Sequence, residues 1–215
     1  MSILTPKKII YGGKMNNAHS QYIAVVLAAG SSTRMGESKL SKPWRGTTII
    51  EAVIATMTSQ GIKPIVVLGK YAQEIRDALI DQEGITFALN QNSDTTEMLA
   101  SVQVGLGLVS SDYKGAFIVL GDQPQVTNRV YKALIERITS QPEAIIIPTF
   151  ERRRGHPWWL PNRFFGDLLT MDPPKTLRDF QLQHRDAIIE VSIQEDTILR
   201  DIDTPEDYRN EVERE

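Results

Sequence analysis

Along this chain, short apolar blocks alternate with longer stretches in which apolar residues recur every three or four positions. The blocks are Ile23 to Leu27, Pro64 to Leu68, Ile85 to Leu89, Gly115 to Leu120 and Ala144 to Ile147. They are rich in β-branched residues and bounded by small or polar ones, which predicts buried strands. The intervening pattern predicts helices: Ile49, Ile50, Val53, Ile54 and Met57; Ile75 and Leu79 within Tyr71 to Ile80; Leu99, Val102, Leu106 and Val109; and Val130, Leu134 and Ile138. Thr48 and Glu51 form a capping box ahead of the first helix, Gly61 follows its end, and Thr127 is placed to cap the fourth. Asn90 closes the third strand and Pro148 is expected to stop the fifth. Strands alternating with helices at this spacing predict an α/β fold: a Rossmann-like, mostly parallel sheet with helices on both faces. Such sheets take ligands at the carboxyl ends of their strands.

The alternation breaks after Pro148. Glu151 to Pro161, ERRRGHPWWLP, reads as irregular, with one of Trp158 and Trp159 buried and the other exposed. A helix is expected over Phe164 to Met171, another from Thr176-x-x-Asp179 to about His184, and strands over Ala187 to Ile193 and Ile198 to Ile202. Thr204-Pro205-Glu206-Asp207 opens the last helix, with Thr as cap, Pro at the first helical position and acid in the first turn. Residues 1–20 lack periodicity and read as a flexible extension, so residues 21–215 are expected to form a single domain.

Composition narrows the chemistry. Hydrophobic residues make up 41% and charged residues 24%, an ordinary globular balance, and the net charge of -3 gives no global attraction to nucleic acid or an acidic membrane. An anionic substrate must therefore be met by local positive charge. With no cysteine there is no disulfide framework and no thiolate chemistry, which suits the cytoplasm. No apolar run is long enough for a membrane span.

Two loops stand out. After the first strand the side chains shrink at Ala28, Ala29 and Gly30; hydroxyls follow at Ser31, Ser32 and Thr33, and cations at Arg34 and Lys39. Small residues let a large ligand lie on the backbone, and an Arg fork with a mobile Lys suits phosphate oxygens. The competing reading is a tight turn with solvated charges. Neither GxxxxGK[ST] nor GxGxxG is present. The second loop is Gly121-Asp122-Gln123-Pro124, where Asp122 stands at a strand's carboxyl end, placed to hold Mg²⁺; an Asp opening a turn before Pro is the plainer alternative. Asp201 and Asp203 flank Ile202, and alternation would set both acids on one face.

The string LAAGSSTRMGESKL, Leu27 to Leu40, resembles the signature LAAGxSxRMGxxKL of the molybdenum-cofactor nucleotidyltransferases, within the MobA-like NTP transferase family. It is most similar to the cytidylyltransferase branch with the MocA-like proteins, since the guanylyltransferases usually carry LAGG where this chain has Ala29. GDQP at 121–124, RRGHP at 153–157 and DIDTPEDY at 201–208 resemble further motifs of that family. The resemblance implies a nucleotide-diphospho-sugar transferase-like fold. It also implies that Leu27, Ala28, Ala29, Gly30 and Ser31 seat a nucleotide together with Ser101, that Arg34 and Lys39 hold its phosphates, and that Asp122 and Asp203 share the Mg²⁺. Arg154, Gly155 and His156 would face the acceptor.

The activity so implied joins CMP from CTP to the phosphate of a molybdopterin-type acceptor with release of pyrophosphate, with molybdoenzymes or their chaperones as further partners. Two departures mark the resemblance: Glu97 replaces the Gly of a GMxxS segment, and Pro173 to Arg178 replaces a Gly-Ala-Arg string. Rival readings are a guanylyltransferase using GTP, a transferase acting on a sugar phosphate or other small phosphorylated acceptor, and a nucleotide-binding chaperone-like protein without turnover.

Overall fold

A computed structural model describes residues 21–30, 38–93 and 98–214. The expected extension at 1–20, together with Ser31, Arg34 and Glu97, lies outside the described residues. In chain order the strands are β1 (Tyr22–Ala28), β2 (Pro43–Trp44), β3 (Thr47–Thr48), β4 (Ile62–Leu68), β5 (Thr86–Leu89), β6 (Gly115–Leu120), β7 (Ile145–Phe150), β8 (Arg153–Arg154), β9 (Trp158–Pro161) and β10 (Ile188–Ser192). The helices are α1 (Ile49–Thr58), α2 (Ala72–Ala78), α3 (Met98–Leu106), α4 (Asn128–Ser140), α5 (Phe165–Leu169), α6 (Leu177–Gln183) and α7 (Pro205–Glu213).

The main sheet runs β10-β7-β9-β6-β1-β4-β5, with β8 on the side of β7. β1 lies parallel to both β4 and β6, β4 to β5, and β7 to β10, whereas β9 is antiparallel to β6 and β7. Alternation along β1 sends Ala24, Val26 and Ala28 to one face and Ile23 and Val25 to the other. On the first face they meet α1, α2 and α4 through Ile50, Ile54, Ile75 and Leu134. On the second they meet α3, α5 and α6 through Val102, Leu106, Leu168 and Phe180. The expected mostly parallel sheet with helices on both faces is what forms. Among the described residues, no helix is long and apolar enough to cross a membrane.

Local signals set several helix starts. Thr48 and Glu51, Thr176 and Asp179, and Thr204 and Asp207 each close a reciprocal capping box. Thr127 stands at the N-cap of α4 as expected, but its hydroxyl donates to Glu195 Oε1 at 3.0 Å and makes no side-chain capping bond. Pro148 does not stop β7, which continues to Phe150. The β7–β9 register pair is Ile146 with Trp159, so Pro148 lies beyond it, and its carbonyl accepts from Gly155 N–H at 2.9 Å.

The segment expected to be irregular contains β9, and both tryptophans are buried at 1% exposure rather than one. β9 sits between two neighbours with helices above and below, so each face of the strand finds its own core. Trp159 packs edge-on to Phe117 and Tyr22, while Trp158 packs against Phe180 on the opposite side. The strand expected over Ile198 to Ile202 is instead a 3-10 turn at Asp196–Leu199 followed by an extended run, with Ile198 and Ile202 both buried.

Candidate functional site

The carboxyl end of β1 forms the floor of a cavity of about 280 Å³, lined there by Leu27, Ala29 and Gly30. A Cβ added to Gly30 would point into open space, so the missing side chain keeps the cavity clear; its backbone angle is not left-handed. β6 ends beside it and delivers Asp122. Gly121 makes this approach feasible: its N–H donates to Leu27 O at 3.0 Å, and a Cβ there would lie 2.8 Å from that same oxygen.

Lys39 enters from the other rim on a 3-10 turn, Lys39–Ser41, fixed by the buried side chain of Leu40. Its ammonium donates to Asp122 Oδ2 at 2.7 Å and to Asp203 Oδ1 at 2.8 Å. Burial alone would lower the pKa of Lys39, but the charges and hydrogen bonds of Asp122 and then Asp203 outweigh it and hold the pKa above the ordinary value.

The segment that carries Asp203 is tied down at several points. Ile202 N–H donates to Asp122 O at 3.3 Å, and Gln123 Nε2 donates to Asp201 Oδ1 at 2.7 Å. Gln125 Nε2 donates to the carbonyls of Thr197 and Arg200. Asp201 and Asp203 both reach the cavity wall, as strand-like alternation predicts, and Ile202 is turned into the core. Burial, and after it the charge of Asp122, raise the pKa of Asp201 against the opposing Gln123 hydrogen bond.

Asp122 and Asp203 share one ammonium, so their bonded oxygens lie no more than about 5.5 Å apart, the two contacts taken end to end. Two ligands on one Mg²⁺ are separated by roughly 3 to 4 Å, given metal–oxygen distances of about 2.1 Å. That bound admits a divalent cation between the two carboxylates, with the ammonium as their present counter-charge. Mg²⁺ takes only one or two protein carboxylates, so two acids suffice although no group of three or more potential ligands occurs among the described residues.

Ser101 also lines the cavity, 7% exposed. Its oxygen accepts from Asn90 Nδ2 at 3.0 Å, which directs the hydroxyl proton elsewhere. Arg154, Gly155 and His156 do not line the cavity. Arg154 Nε donates to Glu190 Oε1 at 2.8 Å, and His156 N–H donates to Ile198 O at 3.2 Å. Burial pushes the His156 imidazole down to about 4.

Sequence reasoning brought Lys39, Asp122 and Asp203 together but passed over Gln123, Gln125 and Asn90. Gln123 stood inside a motif already quoted, and its short distance from Asp122 was the available signal. The role of Gln125 depends on a chain segment far away in sequence, which no local pattern announces, whereas Asn90 reaches Ser101 in α3, 11 residues on.

Comparison with known proteins follows the same geometry. The model of the MobA-like NTP transferase domain matches residues 24–188. The chain is 26% identical to a molybdenum cofactor cytidylyltransferase of Escherichia coli over 88% of its own length and 95% of that protein's. It is 27% identical to a probable molybdenum cofactor guanylyltransferase of Bacillus cereus over 59% of this chain and 62% of the relative. Among solved structures, Rv0371c of Mycobacterium tuberculosis is 29% identical, with a TM-score of 0.77 over 90% of this chain and 98% of that one. A manganese complex of the same protein gives 28% and 0.74 over 91% and 100%.

Proposed function

The chain belongs to the MobA-like NTP transferase family and is a nucleotidyltransferase, and from that premise we propose that it joins CMP from CTP to the phosphate of a molybdopterin-type acceptor. The observation that carries this reading is the convergence of Lys39, Asp122 and Asp203 at the rim of a cavity floored by Leu27, Ala29 and Gly30. The backbone at 27–30 seats the nucleotide, with Ser101 offering a hydroxyl to it, and Ser31 and Arg34 keep the nucleotide-binding roles that the motif implies. Lys39 and Arg34 neutralise charge on the phosphates. A divalent cation held by Asp122 and Asp203 would add positive charge on the α-phosphate oxygens.

In the reaction, an oxygen of the acceptor phosphate attacks the α-phosphorus. A new P–O bond forms, the bond from the α-phosphorus to the bridging oxygen breaks, and pyrophosphate leaves with that electron pair. The attacking oxygen is already anionic, so no strong base is required, and positioning with electrostatic stabilisation carries the step.

Support for Mg²⁺ or a similar ion comes from the donor geometry and from the manganese complex of a structural neighbour. The length of the cytidylyltransferase match and Ala29 favour CTP. The guanylyltransferase relatives supply a second reading in which GTP is the donor. The test is pyrophosphate release with each NTP, with and without molybdopterin, in wild type and Asp122→Ala. The expected result is molybdopterin-dependent release from CTP, with the variant at least about 100-fold slower yet folded. Preference for GTP would replace the donor, and wild-type rates in Asp122→Ala would overturn the metal assignment.

A further inference from the structure

We propose that Lys39 occupies the cation position between Asp122 and Asp203 in the nucleotide-free protein, so that a divalent ion enters only as the ammonium leaves, and an arriving triphosphate draws the ammonium away. This rests on the reading of those two acids as the metal site. The geometry places one charge between two carboxylates. The ammonium donates to both acids, at 2.7 and 2.8 Å, in the short range of charge-assisted bonds. The Lys39 side chain is only 11% exposed and that of Asp122 20%, so water screens the pair weakly. A divalent ion bonded to the same two oxygens needs the space that the ammonium fills. Ion and ammonium therefore exclude one another.

The chain allows that exchange without unfolding. The backbone of Lys39 is fixed by Leu40, 5% exposed, while the four-carbon stem is flexible. Leu27, Ala29 and Gly30 line the same cavity as Lys39. A triphosphate seated there offers Lys39 new anionic partners at the moment when the acids need a new cation. Metal and nucleotide binding are then coupled, and the coupling is reciprocal. The free enzyme holds a bare ion only weakly, and the phosphates of the nucleotide strengthen that hold. A neutral side chain at position 39 removes the competitor and leaves two adjacent carboxylates seeking a counter-charge.

The test is titration of nucleotide-free protein with Mn²⁺, following the paramagnetic resonance signal of the free ion. Lys39→Met and Lys39→Gln are expected to bind Mn²⁺ at least about tenfold more tightly than wild type, while Lys39→Arg stays close to wild type. Adding Asp122→Asn to Lys39→Met removes the gain. In the wild-type protein, saturating Mn²⁺ is expected to accelerate acylation of Lys39 by an amine-directed reagent, read by peptide mass spectrometry. That measurement applies whether or not the variants fold. Asp122-dependent Mn²⁺ binding that is equally tight in wild type and Lys39→Met, or Lys39 acylation indifferent to Mn²⁺, overturns the exchange and leaves the metal site standing. Absence of any Asp122-dependent Mn²⁺ binding, even with CTP present, overturns the metal site itself.

Discussion

Replacing Gly155 by Ala tests whether the Gly-His-Pro segment acts on the site through the backbone. An added Cβ would lie 2.1 Å from Ile198 O and 2.8 Å from the Ile198 carbonyl carbon. A close carbon–oxygen contact is about 3.3 Å, so the two backbones must part by about 1 Å. Ile198 O accepts from His156 N–H at 3.2 Å and from Gln123 Nε2 at 3.4 Å, and both bonds stretch when it moves. Overpacking of this kind costs about 1–3 kcal/mol. With a urea slope of about 2 kcal/mol per molar, the unfolding midpoint falls by about 0.5–1.5 M. The same displacement passes along the chain to Asp201 and Asp203, and a 1 Å error in positioning can cost about 100-fold in rate. Urea unfolding and pyrophosphate release measure the two effects on one preparation. Wild-type stability together with wild-type turnover refutes the steric argument. Unchanged stability with a raised KM for the acceptor alone would instead return Gly155 to the acceptor pocket.

Gln123→Ala is expected to lose about 1.5–3 kcal/mol of stability in urea, because Gln123 is 4% exposed and its amide satisfies the carboxylate of Asp201 at 2.7 Å. An unshifted midpoint would show that water replaces that amide without loss. His156 predicts a pH dependence with a definite sign. Its folded pKa of about 4 lies below the ordinary 6.5, so between these values the unfolded chain binds more protons and stability falls as pH falls. The full difference is worth at most about 3–4 kcal/mol, an upper limit because part of the residue remains reachable by solvent. Urea midpoints at pH 7, 5.5 and 4.5 for wild type and His156→Gln check this: the wild-type curve should fall more steeply, and parallel curves would refute it.

The sheet was readable because its strands β1, β4 and β6 are buried on both faces and so appear as unbroken apolar blocks. β9 was not readable, since Trp158 to Pro161 is short, follows a charged loop and gains its partners only from distant β6 and β7. The same reason hid the burial of both tryptophans, as alternation says that they face opposite sides but not that each side has a core. The strand expected over Ile198 to Ile202 was read from two apolar ends alone, and the structure uses a 3-10 turn at Asp196–Leu199 to bury Ile198. In the site, the position of Asp122 after a buried strand was legible by itself, whereas the grouping of Lys39 and Asp203 with it came from the motifs of the family resemblance. The hydrogen bonds of Gln123 and Gln125 were invisible, because an amide's partner is chosen by tertiary approach and leaves no mark on its neighbours in sequence.

The late position of Asp203 also bears on synthesis. A ribosome translating this message finishes the ligand floor, Lys39 and Asp122 well before it incorporates the second acid. Any product terminated ahead of that codon would carry a lysine facing a single carboxylate and would lack half of the proposed ion clamp. Under the proposed assignment, competence waits for that second acid, however early the rest of the site is made.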